Sequence, residues 1–230
     1  MEQLPNGMTL ELAEGCFPLS TDSMVLGHFV RLPKNARVLD LGSGCGTLGL
    51  LLCAKDPGCA VTGVELSEKA HLCALYNIRR NRLSDRMESI CTDLRQLPGL
   101  FAPGSFSACV SNPPYFSGGP ASADIPLARR EDNCSLAELM GAASVALKYG
   151  GDFYLVHRPE RLADIIARAA GHGMEAKRLL LVRHRPGSEI SIIAVQLRKG
   201  GKPGLQIGEA CLFDQNGSPT SFYKAVYHLL

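Results

Sequence analysis

The chain has 230 residues, 24 Lys/Arg against 22 Asp/Glu for a net charge of +2, and a hydrophobic fraction of 46%. That balance excludes a disordered or fibrous chain and suits one globular domain, 1–230, which at this size buries roughly 70–75% of its unfolded surface. The longest apolar run, around 48–54, falls well short of the ~18 residues a membrane span needs, and the first residues lack a basic leader and an apolar core, so a soluble cytoplasmic protein without a secretory signal is expected.

In chain order, Leu4–Leu12 carries an Asn-Gly turn between strand-like residues and predicts a hairpin. Thr21 or Asp22 then caps a helix to about Arg31, completing an N-terminal extension over 1–35. The core, 36–200, opens with a buried strand at Ala36–Leu41, a helix at Thr47–Lys55 and a strand at Ala60–Glu65. Ser67 caps a helix running toward Arg82, and strands follow at Met87–Cys91 and Phe106–Ser111. A helix between Asn133 and Lys148, stopped by Gly150-Gly151, leads to a strand at Asp152–His157 and a helix at Pro159–Ala170. Ala176–His184 and Glu189–Arg198 are the last core strands. A strand at Glu209–Phe213 and an apolar helix at Phe222–Leu230 decorate the C-terminus, 201–230. Seven core strands alternating with helices give an α/β class with a mainly parallel sheet and helices on both faces.

Nine cysteines form no CxxC pair, and six histidines form neither HxxxH nor HxH, so no metal site is expected. Cys53, Cys73, Cys91 and Cys109 lie in apolar stretches and read as small core residues. Over Ala176–Lys202 seven Lys/Arg face a single acid, Glu189. Such an excess attracts phosphates, though basic residues also solvate sheet edges.

The loop Asp40-Leu41-Gly42-Ser43-Gly44-Cys45-Gly46 ends a strand and opens a helix, where glycines permit a sharp turn and close approach of a ligand to free N–H groups. Two registers compete. From Gly44 the string is GxGxxG, a dinucleotide fingerprint; from Asp40 it is DxGxGxG. The strand has already ended by Gly42, too early for Gly44 to make the fingerprint's first turn, and the dinucleotide reading leaves Asp40 unexplained. The second register resembles the first motif of class I S-adenosylmethionine-dependent methyltransferases, which implies a Rossmann-like fold. The resemblance implies S-adenosyl-L-methionine as cofactor, bound by Asp40, Gly42, Ser43, Gly44 and Gly46, by Glu65 and Leu66 at the ribose, and by Asp93 and Leu94 at the adenine.

About 70 residues after Gly42, Asn112-Pro113-Pro114-Tyr115 directly follows a strand. A nitrogen conjugated to a π-system is a poor nucleophile. Two acceptors aimed at it, Asn112 Oδ1 and the Pro113 carbonyl, restore its lone pair, while the prolines stiffen the loop and Tyr115 offers a stacking face. The tetrapeptide resembles the NPPY signature of methyltransferases acting on planar NH₂ groups, with Asn112, Pro113, Pro114 and Tyr115 as catalytic residues.

Across the chain, Ser20–Gly27, Asn112–Phe116 with Gly118, Arg129-Arg130-Glu131, Val156–Leu162 and the C-terminal tyrosines 223 and 227 are similar to the bacterial tRNA(Val) adenine-N6 methyltransferase family. Arg130 departs from the His expected in many relatives. The resemblance implies that Thr21-Asp22 and Asn112 also meet the cofactor; a tRNA substrate is expected to stack on Tyr115 or Phe116 and to be gripped by Arg129, Arg130 and the basic stretch, where Arg183, His184 and Arg185 either line the RNA groove or solvate a hairpin. His157-Arg158 either touches RNA or simply begins a helix. A glutamine or another nucleic-acid amine as acceptor, and an inactive nucleic-acid-binding relic, are the competing functions.

Overall fold

The structure, a computed structural model, describes residues 2–4, 7–16, 18–113 and 134–228. Strands β1 (Glu2–Gln3) and β2 (Thr9–Leu10) pair antiparallel as the Asn-Gly turn predicts. Helix α1 (Thr21–Phe29) follows, and its cap is Ser20 rather than Thr21 or Asp22: Ser20 Oγ accepts the Ser23 N–H at 3.2 Å. At its other end Lys55 Nζ donates to the carbonyls of Gly27, His28 and Val30 at 3.0, 2.7 and 2.6 Å, answering acceptors that the helix leaves open.

The core then alternates. Strand β3 (Arg37–Leu41), helix α2 (Thr47–Lys55), strand β4 (Ala60–Glu65), helix α3 (Glu68–Arg80) and strand β5 (Met87–Cys91) come first. A 3₁₀ turn at Leu94–Gln96 and the short helix α4 (Leu97–Leu100), neither anticipated, lead to β6 (Phe106–Ser111). Helix α5 (Leu136–Ala146), strand β7 (Leu147–His157), helix α6 (Leu162–Gly171), strands β8 (Met174–Arg183), β9 (Ile190–Lys199) and β10 (Gln206–Cys211), and helix α7 (Ser221–Val226) complete the chain.

The sheet runs β10-β8-β9-β7-β6-β3-β4-β5, parallel except for β9, which is antiparallel to both neighbours. Among the described residues it has eight strands, not seven: the segment read as a C-terminal decoration pairs with β8 and becomes the sheet's edge. One apolar cluster packs α1, α2, α3 and α7 on one face, and a second packs α5 and α6 on the other. Helix α2 is apolar almost throughout, and Leu50, Leu52 and Cys53 are fully buried. It seats closely at Gly49, where a Cβ would stand 2.3 Å from Met87 Cε and the methionine end would have to move aside. Cys53 and Cys109 are core residues as expected, but Cys73 is half-buried and Cys91 is exposed at the end of β5.

The chain moves outward from β3 to β4 and β5, then returns on the other side of β3 through β6. The connections therefore diverge above β3 and β6 and leave a crevice beyond their C-terminal ends, the place where open α/β sheets receive ligands. Ser111 Oγ donates to the Leu41 carbonyl at 2.8 Å and ties the two strand ends together there.

Candidate active site

Gly42, Gly44 and Gly46 all adopt positive φ, at 74°, 55° and 88°, a region costly for any side chain. A Cβ on Gly42 or Gly44 would meet nothing within 4 Å, so the loop's outer side is open to a ligand. Glu65 at the end of β4 holds this loop in shape: Oε2 accepts the Gly44 N–H and Oε1 the Ser67 N–H, both at 2.8 Å. Leu66 next to it is 47% exposed, an apolar surface beside the crevice.

Asp40 is 1% exposed, and neither of its carboxylate oxygens has a hydrogen-bond partner, nor has Ser43 Oγ. Burial and the negative Glu65 push the Asp40 carboxyl up to about 7. An unpartnered buried carboxylate beside a second one suits a cationic ligand and opposes a pyrophosphate. The dinucleotide register therefore fails on charge as well as on position. The orphaned Asp40 and Ser43, the open side of Gly42 and Gly44, and the apolar Leu66 fit a small cationic molecule with an apolar plane.

Asn112, one residue past β6, sits across the crevice. Its Nδ2 donates to Ser23 Oγ of α1 at 2.9 Å, and Ser20 Oγ in turn donates to Ser23 Oγ at 3.3 Å. The amide's donor end is thereby committed, and Oδ1 is the end that serves as acceptor. Ser23 went unnoticed in the sequence because a serine in the first turn of a helix has an ordinary capping explanation. Asn77 was also missed. Fully buried on α3, its Nδ2 donates to the carbonyls of Cys45 and Glu11 and its Oδ1 accepts the Glu11 N–H, joining the glycine loop to the N-terminal segment. The detectable signal was an Asn on the apolar face that also presents Ala70, Ala74 and Ile78.

The other expected contacts vary. Thr21 lies on the same edge, where its Oγ1 and the Tyr227 hydroxyl are 3.0 Å apart; Asp22 is the next residue of α1. Asp93 caps the turn after β5, and Arg95 engages its carboxylate through both backbone and guanidinium, which lowers its pKa. Leu94 packs partly against the core. His157, 1% exposed at the end of β7, accepts the Arg158 N–H on Nδ1 at 2.8 Å, so the ring is neutral with its proton on Nε2. Burial and the nearby Arg161 and Arg158 lower its pKa to about 4. Pro113 is described, but Pro114, Tyr115, Phe116, Arg129 and Arg130 lie outside the described residues.

The basic stretch divides in two. Arg198 forks onto Asp152, Lys199 caps α5 through the Ser144 and Leu147 carbonyls, Lys177 donates to the Lys202 carbonyl, and Arg178 lies 4.2 Å over the Phe29 ring. These cations serve the fold. Arg183 and Arg185 instead stand at the β8–β9 turn, on the sheet edge that carries Asn112. Arg183 is held by the Ser188 carbonyl and lies 3.7 Å from Glu209.

Residues 20–171, which include the glycine loop, Glu65 and Asn112, match the model of the methyltransferase small domain. The chain belongs to that family. It is similar to the tRNA1(Val) (adenine(37)-N6)-methyltransferase of Bacteroides fragilis (strain YCH46), 32% identical over 172 residues, or 74% of this chain and 72% of that protein. Its fold is that of class I methyltransferases. A predicted O-methyltransferase, protein Atu636 from Agrobacterium tumefaciens, superposes with a TM-score of 0.75 at 22% identity, covering 90% of this chain and 96% of that one. Geranyl diphosphate C-methyltransferase from Streptomyces coelicolor A3(2), solved with S-adenosyl-L-homocysteine, does so with a TM-score of 0.57 at 13% identity, over 78% of each chain. Among the described residues no group of His, Cys, Asp or Glu is arranged to hold a metal, and no helix is long and apolar enough to cross a membrane.

Proposed function

We propose that this methyltransferase uses S-adenosyl-L-methionine to methylate the exocyclic N6 amine of an adenine in tRNA, in the cytoplasm, at the anticodon-loop position named for its relatives. The observation that carries the reading is Asn112: an amide one residue past the C-terminal end of β6 whose Nδ2 donates to Ser23 Oγ, which orients Oδ1 as the acceptor for a substrate NH₂. The unpartnered Asp40 supports a cofactor with positive charge.

Asp40, Ser43 and the glycine loop would hold the cofactor's methionine portion, Glu65 its ribose, and Leu66 with Asp93 and Leu94 its adenine. Bound there, it supplies an electrophilic methyl carbon on a sulfonium, which leaves as a neutral thioether. The protein's part is to make the amine nucleophilic. Asn112 Oδ1 and the Pro113 carbonyl accept the two N6–H bonds, drawing the nitrogen out of conjugation, and they hold the developing positive charge until one proton passes to water. Fixing those acceptors in advance is what lowers the barrier, because no dipole has to reorient during transfer.

Incubation with tRNA lacking the modification, followed by nucleoside mass spectrometry, should yield N6-methyladenosine. Asn112→Ala should lower kcat by about 10²–10³-fold, with cofactor affinity changing far less. Label on protein glutamine with none on adenine, or an Asn112→Ala enzyme turning over normally, would overturn the reading.

A further inference from the structure

Four rings line up along the edge of the molecule that carries Asn112. His184 sits on the β8–β9 turn, with its centroid 4.9 Å from that of Phe213, which follows β10. Phe213 lies 5.0 Å from Tyr223 of α7, and Tyr223 stacks on Tyr227 at 4.4 Å with only 23° between the planes. The Phe213 N–H donates to the His184 carbonyl at 2.9 Å, which locks the row to the turn. At the other end the Tyr227 hydroxyl is 3.0 Å from Thr21 Oγ1, and Thr21 is two residues from the Ser23 that holds Asn112. The row thus leads from a basic turn to the catalytic amide.

We propose that this row is a stacking wall for the unpaired bases that flank the target adenine, with His184 as its open end. The proposal rests on the RNA reading above and names the part of the protein that receives the rest of the loop.

Anchoring α7 requires Phe213, Tyr223 and Tyr227, which are half-buried against the core. It does not require His184, an exposed ring on a hairpin turn that lies tilted at 50° to Phe213. An exposed ring at the end of an aromatic row, with the cation Arg185 next to it in the turn, is an arrangement by which single strands are bound. The rings take bases without regard to sequence while the cations track phosphates. Phe213, Tyr223 and Tyr227 all lie beyond residue 171, so the wall is built by the segment past the matched methyltransferase domain.

The test uses an anticodon stem-loop RNA carrying 2-aminopurine beside the target adenine. Binding to the intact protein should quench its fluorescence. His184→Ala should remove most of the quench and raise KM for the RNA about tenfold, while kcat, cofactor affinity and the salt dependence of binding stay put. His184→Phe should restore the quench, because a ring is needed and a charge is not. Arg185→Ala should instead flatten the salt dependence and keep the quench at saturation. A His184→Ala protein that binds, quenches and turns over like the parent overturns the wall alone, provided the parent forms N6-methyladenosine. A parent that methylates no RNA overturns the function and the wall together.

Discussion

Asp40→Asn should make the ligand-free protein more stable at neutral pH and above. The folded carboxyl titrates at about 7 against an ordinary value of 3.8, a difference equivalent to roughly 4 kcal/mol. Because the folded value is raised, the contribution of the neutral carboxyl is complete below 3.8 and is lost as pH climbs to about 7. His157 works in the opposite sense. Its folded value of about 4 lies below the ordinary 6.5, so its stability is complete above 6.5 and is lost as pH falls to about 4, by roughly 3 kcal/mol. Between those limits the two slopes nearly cancel, and the parent should show a flat stability profile. Asn at position 40 removes one slope and exposes the other, so the variant should gain stability with rising pH across that range. At about pH 8 it should exceed the parent by up to roughly 4 kcal/mol, an upper bound because water and local relaxation soften buried charges. Urea unfolding of both proteins at a series of pH values measures this directly, and S-adenosylmethionine added above neutral pH should favour the parent. Parallel profiles for parent and variant would refute the reasoning.

Ser23→Ala removes one hydrogen bond that orients the Asn112 amide, so kcat should fall about five- to tenfold, the cost of one hydrogen bond of roughly 1 kcal/mol, while calorimetric cofactor affinity holds; an unchanged kcat would show that the bond does not orient the amide. Glu65→Ala should weaken cofactor binding by about 1–3 kcal/mol, because the change removes the loop's Gly44 anchor together with the carboxylate proposed to meet the ribose. NAD binding by the parent, with S-adenosylmethionine ignored, would count against the whole site. Gly49→Ala sets its Cβ against Met87 Cε, the end of a flexible side chain that can swing aside, and gains about 1 kcal/mol of helix propensity, so urea melts should stay within about 1 kcal/mol of the parent; a loss of several kcal/mol would show that Met87 is fixed in place.

The first four core strands were legible almost to the residue. Each is a short apolar or β-branched run, closed by Gly42, by Ser67 before its helix, by the turn at Thr92-Asp93, or by Asn112-Pro113. The reading faltered where glycine played an unexpected part. Gly150-Gly151 was expected to end the helix before β7; instead α5 stops at Ala146 and the pair lies inside β7, where the register with β6 shifts. A Cβ on Gly151 would fall 2.9 Å from the Lys148 carbonyl oxygen, so the pair serves a crowded irregularity, which period-based reading cannot distinguish from a helix stop. Membership of β10 in the main sheet was hidden for another reason: its first four residues are exposed, and an edge strand carries little of the apolar pattern that marks a central one. The glycine loop and Asn112 were legible because their chemistry is local. Ser23 and Asn77 were not, since each acts on a residue far along the chain.

The hydrogen bond from Asn112 to Ser23 crosses 89 positions of sequence, from the end of β6 back to a helix that precedes the whole parallel core. An asparagine amide looks nearly symmetrical in shape but is opposite in sense at its two ends, and turned over it would present NH₂ to an incoming NH₂. Copying the Asn-Pro-Pro loop onto another nucleotide-binding sheet would therefore transfer the group without a partner that sets its sense. For anyone transplanting or minimising this chemistry, the portable unit is the pair of segments, the helix that opens at Thr21 together with the strand that closes at Ser111.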